Sequence, residues 1–128
     1  MLDRRRPRGL LAVSVHRWEA SGFEELSPSI SRQAVHGETM TIAKFRLRKG
    51  THVEEHQHAN EQIATVLAGR MRFVLGDGSE HVVEAGETIV LPPNVPHAAD
   101  VLEDSEVLDA FAPVREDWIR GDDAYLRR

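Results

Sequence analysis

Apolar and polar positions alternate in short runs along most of this chain, and turn residues break the runs at close intervals. The closing run Val107-Leu108-Asp109-Ala110-Phe111-Ala112 shows the pattern clearly. Val107, Asp109 and Phe111 share one face, and Leu108, Ala110 and Ala112 share the other, as a period of two requires in a strand. Similar runs rich in Val, Ile, Thr and Phe cover Met40–Leu47, Gln62–Leu67, Met71–Leu75, His81–Val83 and Thr88–Leu91. Between them stand Gly37, Gly50, Gly69, Gly86 and the Pro92-Pro93-Asn94 cluster. Short strands at this spacing predict an all-β sandwich or barrel. Leu75-Gly76-Asp77-Gly78-Ser79 reads as a hairpin loop, because Asp-Gly supplies the positive φ that tight turns need. Helix is expected only near the ends, as single turns at Phe23–Leu26 and Glu116–Ile119. With no internal repeat or linker, residues 1–128 are expected to form one domain, preceded by a basic tail over about residues 1–9.

Composition narrows the chemistry. The chain has 128 residues, no Cys and seven His, so thiolate metal sites, disulfides and thiol nucleophiles are all excluded. A formal charge of −5 argues against a general nucleic-acid binder. The basic start, Arg4 to Arg8, precedes an apolar run from Leu10 to Val15 that is too short for an export signal. No run approaches the roughly 18 apolar residues of a membrane helix. A cytoplasmic protein is expected.

Five of the seven histidines fall between His52 and His97. His56 and His58 are two apart, which in an extended chain puts both imidazoles on one face, as two ligands of one metal require. The same parity reaches Gln62 and excludes Glu61. A bend at Ala59-Asn60 would break the parity, so Glu61 stays open as the alternative oxygen donor. His52 shares the parity of His56 but reads as a surface residue, and His16, His36 and His81 have no motif around them. Lys44, Arg46 and Arg48, like Arg70 and Arg72, alternate on a strand and read as solvated faces. Asp109, flanked by apolar residues in a strand, is costly if buried unpaired. It needs either a partner such as Arg115 or a place in a pocket.

Two segments carry a family resemblance. Residues 50–69 read G-x5-H-x-H-x3-Q-x6-G, through Gly50, His56, His58, Gln62 and Gly69. Residues 86–101 place Gly86, Pro92, Asn94 and His97 at the spacing of G-x5-P-x-G-x2-H, with Asn94 in a glycine position and Val101 in place of a closing Asn. The pair resembles the two motifs of the cupin superfamily. That resemblance implies a single-domain jelly-roll β-barrel in which His56, His58, Gln62 and His97 hold one divalent metal (Zn, Ni, Mn or Fe). Three imidazoles and an amide leave the metal charge uncompensated, which favours a small anionic ligand. The resemblance also implies a homodimer, paired through a sheet face or the long segment before Met40.

A closer resemblance rests on H-x-H-x-x-E-Q, then P-P-N-V-P-H, then D-x-F-x-P-x-R-x-D. These strings are similar to those of the pectin-degradation cupins, which open 4,5-unsaturated monouronates to linear ketouronates. It implies that Asp109 handles a proton, Phe111 lines the pocket and Arg115 positions a carboxylate. Two other classes stay open: a metal-dependent dioxygenase of a small organic substrate, and a non-catalytic small-molecule or sugar-binding module.

Overall fold

The computed structural model describes residues 13–128. The expected basic tail lies outside the described residues. A four-residue helix α1 (Trp18–Ser21) leads into eight strands: β1 (Glu24–Ser27), β2 (Ile30–His36), β3 (Thr41–Leu47), β4 (His52–His56), β5 (Glu61–Leu75), β6 (Glu80–Glu84), β7 (Thr88–Leu91) and β8 (His97–Ala112). A short helix α2 (Glu116–Ile119) and a 3-10 turn (Ala124–Leu126) close the chain. All strand pairs are antiparallel, in the order β1-β2-β3-β8-β5-β6, with β4 added to β8 and β7 added to β5.

Two long strands turn this order into a barrel. The second half of β8 pairs with β3 and with the start of β5, while its first half pairs with β4 and with the end of β5. Both strands thus run through two sheets that face each other, and the fold is a single-domain jelly roll. Inward positions alternate as the pleat demands: Thr41, Ala43, Phe45 and Leu47 on β3, and Val107, Asp109 and Phe111 on β8, are all buried. Each such aromatic or large aliphatic side chain contributes about 1.5–3 kcal/mol by leaving water. Lys44 and Arg46 point outward to Glu106, at 3.5 and 3.6 Å, so that face is the solvated one.

Several expected boundaries change. Gln62–Leu67 and Met71–Leu75 are one strand, and Val107–Ala112 is the end of a strand that begins at His97. Phe23–Leu26 is not helical: β1 occupies it, and the N-terminal helical turn lies earlier, at Trp18–Ser21. The expected turn at Glu116–Ile119 is α2. In the hairpin, Gly78 takes the positive φ of 87°, while the Asp77 carboxylate accepts from the Ser79 N–H and hydroxyl at 2.9 and 2.7 Å. No helix among the described residues is long and apolar enough to cross a membrane.

Gly69 explains why β5 can pass from one sheet to the other. The pairing with β8 shifts register on both sides of it, and its φ is 88°. A Cβ there would run into Asp104 O and Ser105 Oγ on β8. Gly78 has the same sign of φ but open space around it. Gly69→Ala should therefore lose at least about 2 kcal/mol of stability in urea denaturation, and Gly78→Ala only about 1. Equal losses at the two positions would contradict the close approach at Gly69.

Candidate metal centre

The first motif folds as β4, a bend and the start of β5. The bend falls at Ala59-Asn60, fixed by Asn60, whose buried side-chain amide donates to Pro113 O and Val114 O at 2.5 and 3.3 Å. The second motif is the turn before β8. Asn94 takes a φ of 62° in the glycine position, and its N–H donates to His58 O at 2.8 Å, tying the two motifs together. His56 lies opposite His97 across the β4–β8 pair. The ring centroids of His56, His58 and His97 stand 4.4, 5.1 and 5.8 Å apart, and one donor atom from each lies within 4.8 Å of the others.

Each imidazole is aimed by its own stretch of backbone. Nδ1–H donates to Glu54 O from His56 (2.8 Å), to Asn60 O from His58 (3.0 Å) and to Val95 O from His97 (2.8 Å). With Nδ1 protonated, Nε2 carries the lone pair, the arrangement metal-bound histidines use. The Nε2 of His97 is buried without any hydrogen-bond partner. A buried acceptor left unpaired is costly, and a metal ion coordinated there would relieve it. The donor set therefore fits a divalent cation.

Gln62 faces the cluster and Glu61 faces solvent. Gln62 Oε1 lies 3.2 Å from His58 Nε2, and its amide N–H donates to Asp109 Oδ1 at 3.1 Å. The bend thus restores the parity seen in the sequence. His52 is exposed and bonded to Asp100 at 2.7 Å, away from the cluster. His16 meets Gln33, His36 meets Thr41, and His81 meets Ser79, each outside the site.

Asp109, Phe111 and Arg115 line one cavity with His56, Gln62 and His97; its volume is about 70 Å³. Asp109 sits between Ala43 and Ala64, both wholly buried, which leave it room. The Asp109–Arg115 pairing considered from the sequence is not made. Arg115 bonds instead to Asp117, Nε to Oδ1 at 3.0 Å and Nη2 to Oδ2 at 2.8 Å. The reason is local: Arg115 precedes α2, and Asp117 in its first turn folds back beside it. Arg115 also lies over the rings of Phe111 and Trp118, at 4.7 and 4.2 Å.

Two cavity residues carry no signal in the sequence. Trp118 and Tyr125 come from the C-terminal segment, which Asp123 locks down by accepting from Arg32 (2.9 Å) and Arg127 (2.8 Å). Their only mark in the sequence is rarity: the chain has two Trp and one Tyr.

Residues 43–111 match the cupin domain family, more than half of the chain. The chain belongs to the cupin family. Among solved structures, this cupin resembles KdgF from Halomonas sp., with a TM-score of 0.76 and 28% identity over 82% of this chain and 99% of that one. An RmlC-like cupin from Shewanella frigidimarina gives 0.74 and 27%, over 80% and 93%. A Bacillus subtilis protein named H2HPP isomerase is 33% identical over 75 residues, 59% of this chain. The chain spans only 31% of that relative's length.

Burial sets the charge state of the site. It pushes His56 down to about 3, helped by His97 and His58, and His58 down to about 4, helped by Arg115. His97 is lowered too, again mainly by burial. Asp109 moves the other way, up to about 7, because burial outweighs the Gln62 hydrogen bond and Arg115.

These shifts have opposite signs in the stability of the metal-free cupin. As pH falls from 6.5 toward 3, the unfolded chain takes up imidazole protons that the folded one refuses, so stability is lost. Asp109 stabilises below pH 3.8 and loses that contribution as pH rises to about 7. Three imidazoles outweigh one carboxyl, so urea denaturation should show a net decline from pH 6.5 to 4. A flat or rising profile would contradict the buried, neutral cluster. Near neutral pH, zinc at a hundredfold excess over its Kd should add about 2.7 kcal/mol. His97→Ala should remove that gain.

Proposed function

We propose that this cupin is a metal-dependent, non-oxidative enzyme acting on a small anionic sugar acid, and that it opens 4,5-unsaturated uronates to linear ketouronates. The observation that carries this reading is Asp109. A buried carboxyl, raised to about 7, shares a cavity with His56 and His97, two of the three converging imidazoles, and with a buried arginine. The resemblance of the motifs to those of the pectin-degradation cupins supports the substrate class, and the relative named as an isomerase supports non-oxidative chemistry.

His56, His58, Gln62 and His97 would hold the metal. When bound, it would supply a positive Lewis-acid centre that attracts carboxylate and polarises oxygen. Iron oxygenases of the facial-triad type use two histidines and a carboxylate, and a carboxylate is what the fourth position here lacks.

The proposed conversion conserves atoms. The C4=C5 enol ether takes up a proton at C4, the ring C–O bond breaks, and carbonyls form at C5 and C1. Any water added at C5 is lost again. One proton must therefore be delivered to carbon and one removed from oxygen. Asp109 can exchange protons near neutral pH, because its pKa lies close to the working range. Gln62 holds Oδ1 of Asp109 in place, and Phe111 keeps the carboxyl dry from the next inward position on β8. Arg115, held by Asp117, supplies the fixed positive charge for the substrate carboxylate.

The test is conversion of a 4,5-unsaturated monouronate, followed by loss of its ultraviolet absorbance. Asp109→Asn should slow turnover by about 10²–10⁴-fold with zinc content unchanged, and chelation should abolish it. Full turnover in Asp109→Asn, or in the chelated protein, would sink the corresponding assignment. Oxygen uptake during turnover would point to a dioxygenase, and tight uronate binding without conversion would point to a binding module.

A further inference from the structure

Tyr125 is the only tyrosine of the chain. Its ring lies against His56, with centroids 4.4 Å apart and planes tilted by 32°. It lines the same cavity as Gln62, His97, Asp109 and Arg115. Its hydroxyl oxygen accepts two hydrogen bonds, from Arg115 Nη2 at 3.0 Å and from Trp118 Nε1 at 3.3 Å. A phenol offers one proton and two acceptor lone pairs. Both acceptor positions are taken by groups that can only donate, and no hydrogen bond among the described residues uses the phenolic proton.

We propose that Tyr125 is a ligand-binding residue, whose hydroxyl donates a hydrogen bond to a carboxylate oxygen of the small anion held in this cavity. The proposal rests on the reading of the cavity as an anion site. Arg115 is wholly buried, with its Nε and Nη2 bonded to Asp117 and Tyr125. Tyr125 extends the influence of that cation toward His56. A phenol that accepts from a guanidinium is polarised into a stronger donor. Its proton cannot turn back toward either donor, so its direction is set before a ligand arrives, which lowers the ordering cost of binding. The segment that carries Tyr125 is fixed by the buried Leu126 on one side and Asp123 on the other. A cavity of about 70 Å³ is far below the roughly 300–1,000 Å³ of pockets that enclose whole organic ligands. A sugar acid therefore enters by one end, and a carboxylate is the end that suits Arg115 and Tyr125 together.

The test uses the full zinc-loaded chain, with D-galacturonate as the carboxylate probe and D-galactose as its control, both measured by calorimetry. Tyr125→Phe keeps the ring on His56 and removes the proton. Galacturonate affinity should fall about tenfold with zinc stoichiometry unchanged, and the thermal midpoint should fall by a few degrees because Trp118 Nε1 loses its acceptor. Galactose should bind neither protein measurably. Unchanged galacturonate affinity in Tyr125→Phe, or no galacturonate binding by the wild type, overturns the proposal. If the variant fails to fold, 3-fluorotyrosine labels the wild type at this single position. Its one fluorine resonance should shift on adding galacturonate, and an unmoved resonance overturns the proposal. Should galacturonate bind in the expected order while an unsaturated uronate stays intact, only the proposed reaction falls. Should the uronate be opened with Tyr125→Phe binding as well as the wild type, only the role of Tyr125 falls.

Discussion

Pairing between β5 and β8 runs from Glu61–Ala112 at one end to Leu75–His97 at the other. The site depends on that ladder more than on any other contact. Gln62 stands on one of these strands, and His97, Asp109 and Phe111 stand on the other. Because side chains alternate at a period of two, a slip of one residue in β8 would turn His97, Asp109 and Phe111 outward together, and the same slip in β5 would turn Gln62 outward. Gly69 allows the ladder to cross between sheets, and the register shifts around it are absorbed there rather than at the site. Gln62, His97 and the buried Asp109 carboxyl are thus held by one backbone relationship, with β4 and the Asn60 bend delivering the other two histidines of the candidate metal centre to it.

Charge works against the global balance of the chain. The protein as a whole is acidic, with a formal charge of −5. Yet the cavity gathers neutral imidazoles, a neutral amide, a carboxyl that burial keeps from ionising readily, and a guanidinium. Carboxylates such as Glu61, Glu103 and Glu106 lie on the outside of the barrel. Net charge is a property of the outer surface, and it says little about a pocket whose walls exclude water.

What could be read from the sequence was whatever depends on period and spacing. The His-x-His pair, the parity that joins Gln62 to it, Asn94 in a glycine position and the face that Asp109 shares with Val107 and Phe111 are all local geometry, and local geometry is written in residue order. The length of β5 was hidden because Gly69 resembles a turn signal, although here it marks a crossing inside one strand. Strand β2 was hidden because its buried positions include Arg32 and Gln33, which are polar. The partner of Arg115 could not be read at all, since Asp109 and Asp117 are both near in sequence and only the fold separates them. Tyr125 belongs to the same class: its place beside His56 depends on how a C-terminal turn is locked by Arg32 on a distant strand.

Gln62 holds two jobs with one amide, its oxygen turned to His58 and its nitrogen to Asp109. A glutamate in that position would bring a second carboxylate to the oxygen of Asp109 that now accepts an N–H. Like charges at such range hold one proton between them, and the pair would titrate as a unit. The identity of residue 62 and the protonation of the buried acid are therefore a single choice in this barrel. An exchange of amide for acid at residue 62 would retune both halves of the site at once.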